Sequence, residues 1–204
     1  MPSTSRATYH HGDLRSHLLD VSEQLLAEQG PRSFSLAEAS RRAGVSVSAP
    51  YRHFADRDAL LAAVAARAYT ALGEVLHAAA GDVATPTEQL VRVSAAYVRF
   101  SVAQPSAFAV LFGSGLDKSA HRELTDAAQS TVEAFVGPAR RLVPGRDEAA
   151  ALALATSLAA TAHGFATLLA DGALGQPEQS VDQVAVHAER TARALLRGRR
   201  ALTP

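Results

Sequence analysis

Residues 35–60 constrain the fold of this chain more than any other segment, because their spacing fits two short helices that meet at a glycine turn. Ser35 and Glu38 form an S-x-x-E capping box, which satisfies free backbone N–H groups at the start of a helix. Gly44 can adopt the left-handed conformation that ends this first helix, and Val45 supplies an apolar contact to the second. The segment is therefore predicted to be a helix–turn–helix.

The second helix of the motif is predicted over about residues 47–54, with Ser46 as its N-cap. Such a short helix is not stable alone, and Pro50 at its fourth position removes only one backbone hydrogen bond. Its polar side chains are hydrogen-bonding or cationic groups: Ser48, Tyr51, Arg52 and His53. This composition is typical of a helix that enters a DNA major groove. A purely structural short helix in an all-helical bundle is the alternative.

At these residues the chain resembles the TetR-type (tetracycline-repressor-like) transcriptional regulators. The similarity is carried by SLAEASRRAGVS, PYRHF and DRDALLAAV, and TYHHGDLRSHLLDVSEQLLAEQG resembles the first helix of one subgroup. It spans about residues 9–69. The resemblance implies a homodimeric, ligand-responsive repressor that binds a palindromic operator in double-stranded DNA. A small hydrophobic effector is expected to release it.

The resemblance also implies which residues contact DNA. Phosphate contacts would fall to Tyr51, His53 and Arg57, and Ser35 would add one from the capped start of its helix. Base reading would fall to three small residues and one arginine: Val47, Ser48, Ala49 and Arg42. Ser46, at the start of the helix, is also expected to contact DNA. Because most of these side chains are small, we expect DNA shape to supply part of the specificity.

Charge and composition fit this interpretation once their distribution is considered. The net charge is zero, which by itself argues against a nucleic-acid-binding protein. However, Arg41, Arg42, Arg52 and Arg57 cluster around the predicted turn, and local charge matters more than the total for phosphate contact. There is no cysteine, and the histidines are scattered, so we expect neither a metal site nor a cofactor.

The hydrophobic periodicity predicts an all-α fold of about nine helices. We expect a three-helix DNA-binding domain over residues 9–55, and a C-terminal helical bundle for ligand binding and dimerisation over residues 56–200. Residues 1–8 look disordered. Helix starts are predicted at Asp13, Asp56, Thr85 and Asp147, and Pro138 should kink or end a helix over about residues 119–136. The last helix is predicted over about residues 180–197.

The C-terminal half carries a weaker signal at His163 and Gly164. Together with its flanking residues, this pair resembles the Trp-x-x-x-His-Gly signature of one class of TetR-type C-terminal domain, with Ala159 at the tryptophan position. Loss of an indole there leaves either a cavity or a space filled by neighbours. The residues predicted to line an apolar ligand pocket are Tyr97, Phe100, Phe108, Phe112, Phe135, His163 and Phe165. Ordinary core packing is the alternative for each of them.

The last two helices are rich in alanine, for example at Ala162 and Ala188, and in the family the corresponding pair forms the dimer interface across a two-fold axis. Residues 149–170 are apolar but interrupted by His163 and Gly164, so no membrane span and a cytoplasmic location are expected. The rival hypothesis is an enzyme or small-molecule carrier that reuses a helical bundle. No nucleophile–base pair, phosphate loop or metal spacing supports an enzyme. Specific DNA binding that is lost when the helix–turn–helix is deleted would distinguish the regulator from the enzyme or carrier.

Overall fold

The computed structural model describes residues 11–81, 85–173 and 180–201. Within these ranges the chain forms eight α-helices and no β-strand, so the predicted all-α class is confirmed. The ninth predicted helix, over residues 47–54, is replaced by a shorter turn. The predicted disordered start, residues 1–8, and the first two residues of the predicted DNA-binding domain lie outside the described residues.

The helices pack as a bundle around the third and fourth helices. In chain order they are α1 (His11–Ser33), α2 (Leu36–Arg42), α3 (Arg57–Ala80), α4 (Pro86–Ala103), α5 (Pro105–Gly113), α6 (Arg122–Arg140), α7 (Glu148–Ala170) and α8 (Val181–Arg197). Single 3₁₀ turns lie at Pro50–Arg52, Lys118–Ala120, Pro144–Arg146 and Arg199–Ala201. Helix α3 packs against α4 and α6, and α4 packs against α7 and α8. Contacts between α1 and α5 join the N-terminal helices to the bundle.

Side-chain caps begin several helices where the sequence predicts them. Asp56 accepts a hydrogen bond from the Ala59 N–H at 2.8 Å and begins α3. Thr85 begins α4 and Asp147 begins α7 in the same way. Asp13 is a correction, because α1 begins at His11 and Asp13 therefore lies inside the helix.

Other predicted boundaries move for local reasons. Helix α6 begins at Arg122, because Asp117 caps the separate Lys118–Ala120 turn through the Ser119 N–H at 3.0 Å. It also continues through Pro138, because a proline in the last turn costs only one backbone hydrogen bond. Gly30 interrupts α1 with a φ of 74°, close to the predicted end, and one further turn begins at Pro31.

Two helices are long and apolar enough to cross a membrane when judged by length and composition alone, α3 and α7. The apolar window of α3 is 67% buried, which is the burial of a core helix. The window of α7 is only 28% buried. Much of the apolar surface of α7 is therefore left uncovered by its own chain.

Candidate functional site

The predicted helix–turn is present at the junction after α2. The hydroxyl of Ser35 accepts the N–H of Glu38 at 3.2 Å and caps the helix. Gly44 has a φ of 68°, and the N–H groups of Gly44 and Val45 bond the carbonyls of Arg41 and Ser40 at 3.2 and 3.0 Å. This pair of bonds is a Schellman motif, which ends α2 and fixes the direction of the following chain. The turn that the glycine predicts is confirmed.

Residues 46–53, here called the recognition turn, do not form the predicted α-helix. The only regular element in this segment is the 3₁₀ turn Pro50–Arg52. Because Pro50 has no N–H, the Ser46 carbonyl accepts instead from Ala49, three residues on, at 2.9 Å. Ser46 therefore does not cap a helix, and its hydroxyl oxygen lies 3.1 Å from that of Ser48.

The recognition turn presents an exposed face that the fold does not require. Val47 is 59% exposed and Tyr51 is 57% exposed, although both are large side chains with apolar surface. Ser46, Ser48 and Arg52 are exposed beside them. In contrast, Pro50 is buried and fixes the turn to the body of the protein. Apolar side chains left in solvent on a rigid turn indicate a contact surface.

The arginines around this face differ in what they bind. Arg42 is paired with Glu28 through two contacts of 2.6 Å, and this hydrogen bonding lowers the pKa of Glu28 below its ordinary value. Arg41 is paired with Glu38, so the predicted capping box is only half formed. Among the described residues Arg52 has no hydrogen-bond or ion-pair partner, and it is exposed. The sequence places Arg52 in the basic cluster at the turn but does not single it out as a DNA contact, since spacing does not reveal which arginines are paired.

Arg57, predicted to hold a phosphate, is bound within the protein. Its guanidinium donates to the backbone carbonyl of Phe34 at 2.9 Å and to that of Pro31 at 2.7 Å. A third contact joins it to Asp58 at 2.8 Å. The geometry gives this side chain a positioning task, because it ties the start of α3 to the junction of α1 and α2.

His53, the other predicted phosphate contact, also faces inward in part. Its Nε2 atom is buried and has no hydrogen-bond partner among the described residues. The ring lies 6.5 Å from that of Phe54, which is in the core. In this arrangement Nε2 is shielded from solvent.

A second candidate site is an open cavity of about 580 Å³ in the C-terminal bundle. This volume is within the range of about 300–1,000 Å³ that small-molecule pockets occupy. Four of the predicted lining residues face it: Tyr97, Phe112, Phe135 and His163. Ala159, at the position of the family tryptophan, also lines it, so the space is not refilled by neighbours. Further lining residues are mostly aliphatic: Val132, Val136, Leu152, Ala155 and Ala160.

The remaining predicted pocket residues lie elsewhere. Phe108 packs behind the wall, with its ring 4.9 Å from Phe112 and 5.6 Å from His163. Phe100 is a correction, because it is 2% exposed within the main core. Phe165 is a second correction: it packs against a small cluster between α4 and α8. It follows His163 by two residues, about 200° around the helix, and so faces away from the cavity.

The polar groups of the cavity are one histidine, two tyrosines, two threonines and one lysine. The Tyr97 hydroxyl lies 3.1 Å from Nδ1 of His163. Burial, with a smaller contribution from Lys118, lowers the pKa of His163, and burial raises the pKa of Tyr97. The ammonium of Lys118 donates to the Tyr69 hydroxyl and lies 4.8 Å from the centre of that ring. Lys118 was not predicted, because it precedes the helix in a segment without periodicity.

Three contacts connect the region of the cavity to α1 and to the recognition turn. Arg15 on α1 is paired with Glu123 at 3.0 Å. Glu123 lies in the first turn of α6, five residues after Lys118. The guanidinium of Arg15 also lies 5.5 Å from the ring of Phe54, next to the recognition turn. In addition, Gly113, which follows the cavity residue Phe112, packs close to Pro31 of α1.

An all-α chain with an exposed turn after a capped helix, and a separate apolar cavity, has the architecture of a helical DNA-binding regulator. Two family descriptions match it: "Bacterial regulatory proteins, tetR family" over residues 18–64, and "Tetracyclin repressor-like, C-terminal domain" over residues 90–195. The chain belongs to the TetR family, which confirms the resemblance stated above. The Trp-x-x-x-His-Gly subgroup stays a prediction.

Known proteins resemble the chain over part of its sequence and over its whole fold. It is 30% identical over 90 residues to the HTH-type transcriptional regulator BetI of Brucella anthropi, covering 44% of this chain and 45% of that protein. It is 36% identical over 63 residues to AcrR of Shigella flexneri, covering 31% and 29%. The alignments thus span less than half of each curated relative. A solved structure of a protein of unknown function from Rhodococcus sp. RHA1 is 30% identical, with a TM-score of 0.76, covering 98% of this chain and 100% of that one.

Proposed function

We propose that this chain is a ligand-responsive transcriptional regulator, a repressor that binds a palindromic operator as a cytoplasmic homodimer and is released by a small hydrophobic effector. The observation that carries the proposal is the recognition turn, where Val47 and Tyr51 are exposed on a rigid support. TetR-family regulators bind DNA and small-molecule effectors. Membership of that family favours this function over the rival enzyme or carrier.

The DNA contacts are divided between positioning and reading. Tyr51 and Arg52 are free to contact phosphates, while Val47, Ser48 and Ala49 face the bases. Arg57 would position the turn through Phe34 and Pro31. Arg42 would contact DNA only after leaving Glu28, so its contribution should be small.

A dimer interface must be formed by residues that are exposed in the single chain, so the buried alanines of the last two helices cannot form it. Ala162 and Ala188 are each 1% exposed and pack within one chain, so they belong to the protomer core. Leu168 on α7 is 44% exposed and Val186 on α8 is 37% exposed. In a dimer, α7 and α8 of a second copy would cover the apolar face of α7 and bury this surface across a two-fold axis.

The two sites would communicate through the turn Lys118–Ala120 and the start of α6. A ligand that shifts this segment also moves Glu123, which is paired with Arg15 of α1. A shift of Phe112 would act in parallel through Gly113 and Pro31. Because each half of a dimer must match one half-site, a small rotation of the N-terminal helices would weaken binding.

Selection of double-stranded DNA from a random pool by the purified full chain tests the proposal. We expect enrichment of an inverted repeat, and we expect Val47→Ser to change the enriched bases. Val102→Ser is the matched control, because Val102 is 40% exposed on α4, away from the recognition turn. Failure to enrich any inverted repeat, or equal effects of the two variants, would contradict the proposal.

A further inference from the structure

We propose that the cavity binds an amphipathic ligand with an anionic head group, a hydrophobic carboxylate, and that Lys118 binds the head group. The inference deepens the proposed function, since it takes the cavity as the effector site. It begins from the distribution of charge on the cavity wall. Lys118 is the one lining residue with a formal charge among the described residues, and no aspartate or glutamate lines the cavity.

The ammonium of Lys118 has no carboxylate partner in the described part of the chain. It lies against the Tyr69 hydroxyl, 4.8 Å from the Tyr69 ring and 5.6 Å from that of Phe112. The Oδ1 atom of the neighbouring Asp117 accepts from the Ser119 N–H at 3.0 Å and from the Ser119 hydroxyl at 2.6 Å, and it makes no ion pair with Lys118. These hydrogen bonds lower the pKa of Asp117. Within the described part of the chain, no ion pair with a carboxylate therefore occupies the ammonium of Lys118.

The other polar groups of the cavity are neutral. The pKa of His163 is lowered by burial and by Lys118, so the imidazole is uncharged near neutral pH and offers hydrogen bonds only. The Tyr97 hydroxyl is engaged with it at 3.1 Å. A carboxylate would thus meet one cation and no competing anion. A cationic head group would meet repulsion from Lys118.

The rest of the wall suits an apolar body. The aliphatic and aromatic residues of α6 and α7 include Val132, Phe135 and Leu152, and the cavity volume of about 580 Å³ exceeds what a small polar anion needs. Burial of an alkyl chain against these residues would supply most of the affinity. The charge-assisted contact to Lys118 would supply the preference for an acid.

Direct binding to the full chain tests the inference with three twelve-carbon probes, each held below its micellar concentration: dodecanoate, 1-dodecanol and dodecyltrimethylammonium. We expect dodecanoate to bind about tenfold or more tightly than dodecanol, as a hydrogen bond between charged groups implies, and the ammonium probe to bind weakest. Lys118→Met should reduce dodecanoate to the affinity of dodecanol and leave dodecanol unchanged. Lys118→Arg should keep the preference for the acid. Because Lys118 is exposed, these variants are expected to fold.

Equal binding of dodecanoate and dodecanol to the wild-type chain would overturn the inference. So would a preference for the acid that persists in Lys118→Met, or the absence of binding by all three probes. The measurement uses no DNA, and the DNA selection uses no ligand. Failure of the head-group assignment and failure of the proposed regulator are therefore distinguishable.

Discussion

Arg57 and Arg52 lie near the same face, and the structure predicts opposite consequences for their loss. Arg57→Ala removes two hydrogen bonds from a guanidinium to the backbone carbonyls of Phe34 and Pro31. The side chain is 37% exposed, so we take the lower part of the range for such bonds, about 2–3 kcal/mol for the two together. The contact to Asp58 is exposed and adds almost nothing.

For a chain of this size each kcal/mol lowers the thermal midpoint by about 2–4 °C. Arg57→Ala should therefore lower the midpoint by roughly 5–10 °C, while Arg52→Ala should leave it nearly unchanged, since Arg52 has no partner among the described residues. The assay is thermal unfolding followed by circular dichroism. Arg57→Lys is the control that keeps the charge, and it should lose nearly as much stability because lysine lacks the planar fork.

DNA binding measured across a salt series is a second test that distinguishes the role of Arg52 from that of Arg57. Each phosphate contact contributes about 0.9 to the slope of log affinity against log salt, so Arg52→Ala should flatten the slope by roughly 1.8 for a dimer. Arg57→Ala, measured below its unfolding transition, should weaken binding without changing the slope. The positioning argument fails if Arg57→Ala keeps full stability and flattens the slope as much as Arg52→Ala does. Arg57 would then hold a phosphate, as the family resemblance implies.

Three further predictions concern the C-terminal half. Ala159→Trp should fill the cavity, so that dodecanoate no longer binds in calorimetry while operator affinity is kept; unchanged ligand binding would place the pocket elsewhere. Leu168→Arg with Val186→Arg should give a monomer in light scattering, and a persistent dimer would mean that the interface lies on another face. The lowered pKa of His163 means that the unfolded chain binds more protons, so this residue's contribution to stability is complete above its unfolded pKa near 6.5 and falls as the pH drops below it. The urea midpoint of the wild type should therefore decrease from pH 7.5 to pH 5.5 by more than that of His163→Gln, and equal decreases would contradict the assignment.

The sequence predicts the fold well where a local chemical signal is sufficient. Gly44, Asp56 and Thr85 each perform the local task that their position implies, since caps and left-handed turns depend on neighbouring backbone groups only. Pro50 shows where local reasoning was insufficient. The sequence predicts that the helix tolerates the missing N–H of Pro50, but the helix is so short that the loss leaves only a 3₁₀ turn.

Properties that depend on distant partners could not be predicted from spacing. Arg42 and Arg52 are both arginines beside the turn, yet among the described residues only Arg42 is paired with an acid, Glu28, which lies fourteen positions away in the sequence. Small residues on the last two helices suggested a dimer interface, although Ala188 packs against α4 of its own chain. In each case the sequence shows that a side chain can form an ion pair or pack closely, whereas its partner depends on which residues the fold brings next to it.

The same distinction applies to the two candidate sites, each of which combines a cation that is unpaired within the described ranges with apolar or aromatic surface. Many arginines of the described residues are paired with acids of the same chain, as Arg193 is with Glu88 at 2.7 Å and Arg140 with Glu133 at 2.8 Å. Arg52 and Lys118 are cations without an acidic partner among the described residues, and each lies beside exposed apolar or aromatic surface: Tyr51 in one case, Phe112 in the other. An unpaired cation next to apolar surface favours a ligand that is itself anionic and has faces to pack. DNA fits that description at the recognition turn, and a hydrophobic carboxylate fits it in the cavity. The same combination of an unpaired cation and apolar surface would therefore bind both of the proposed partners.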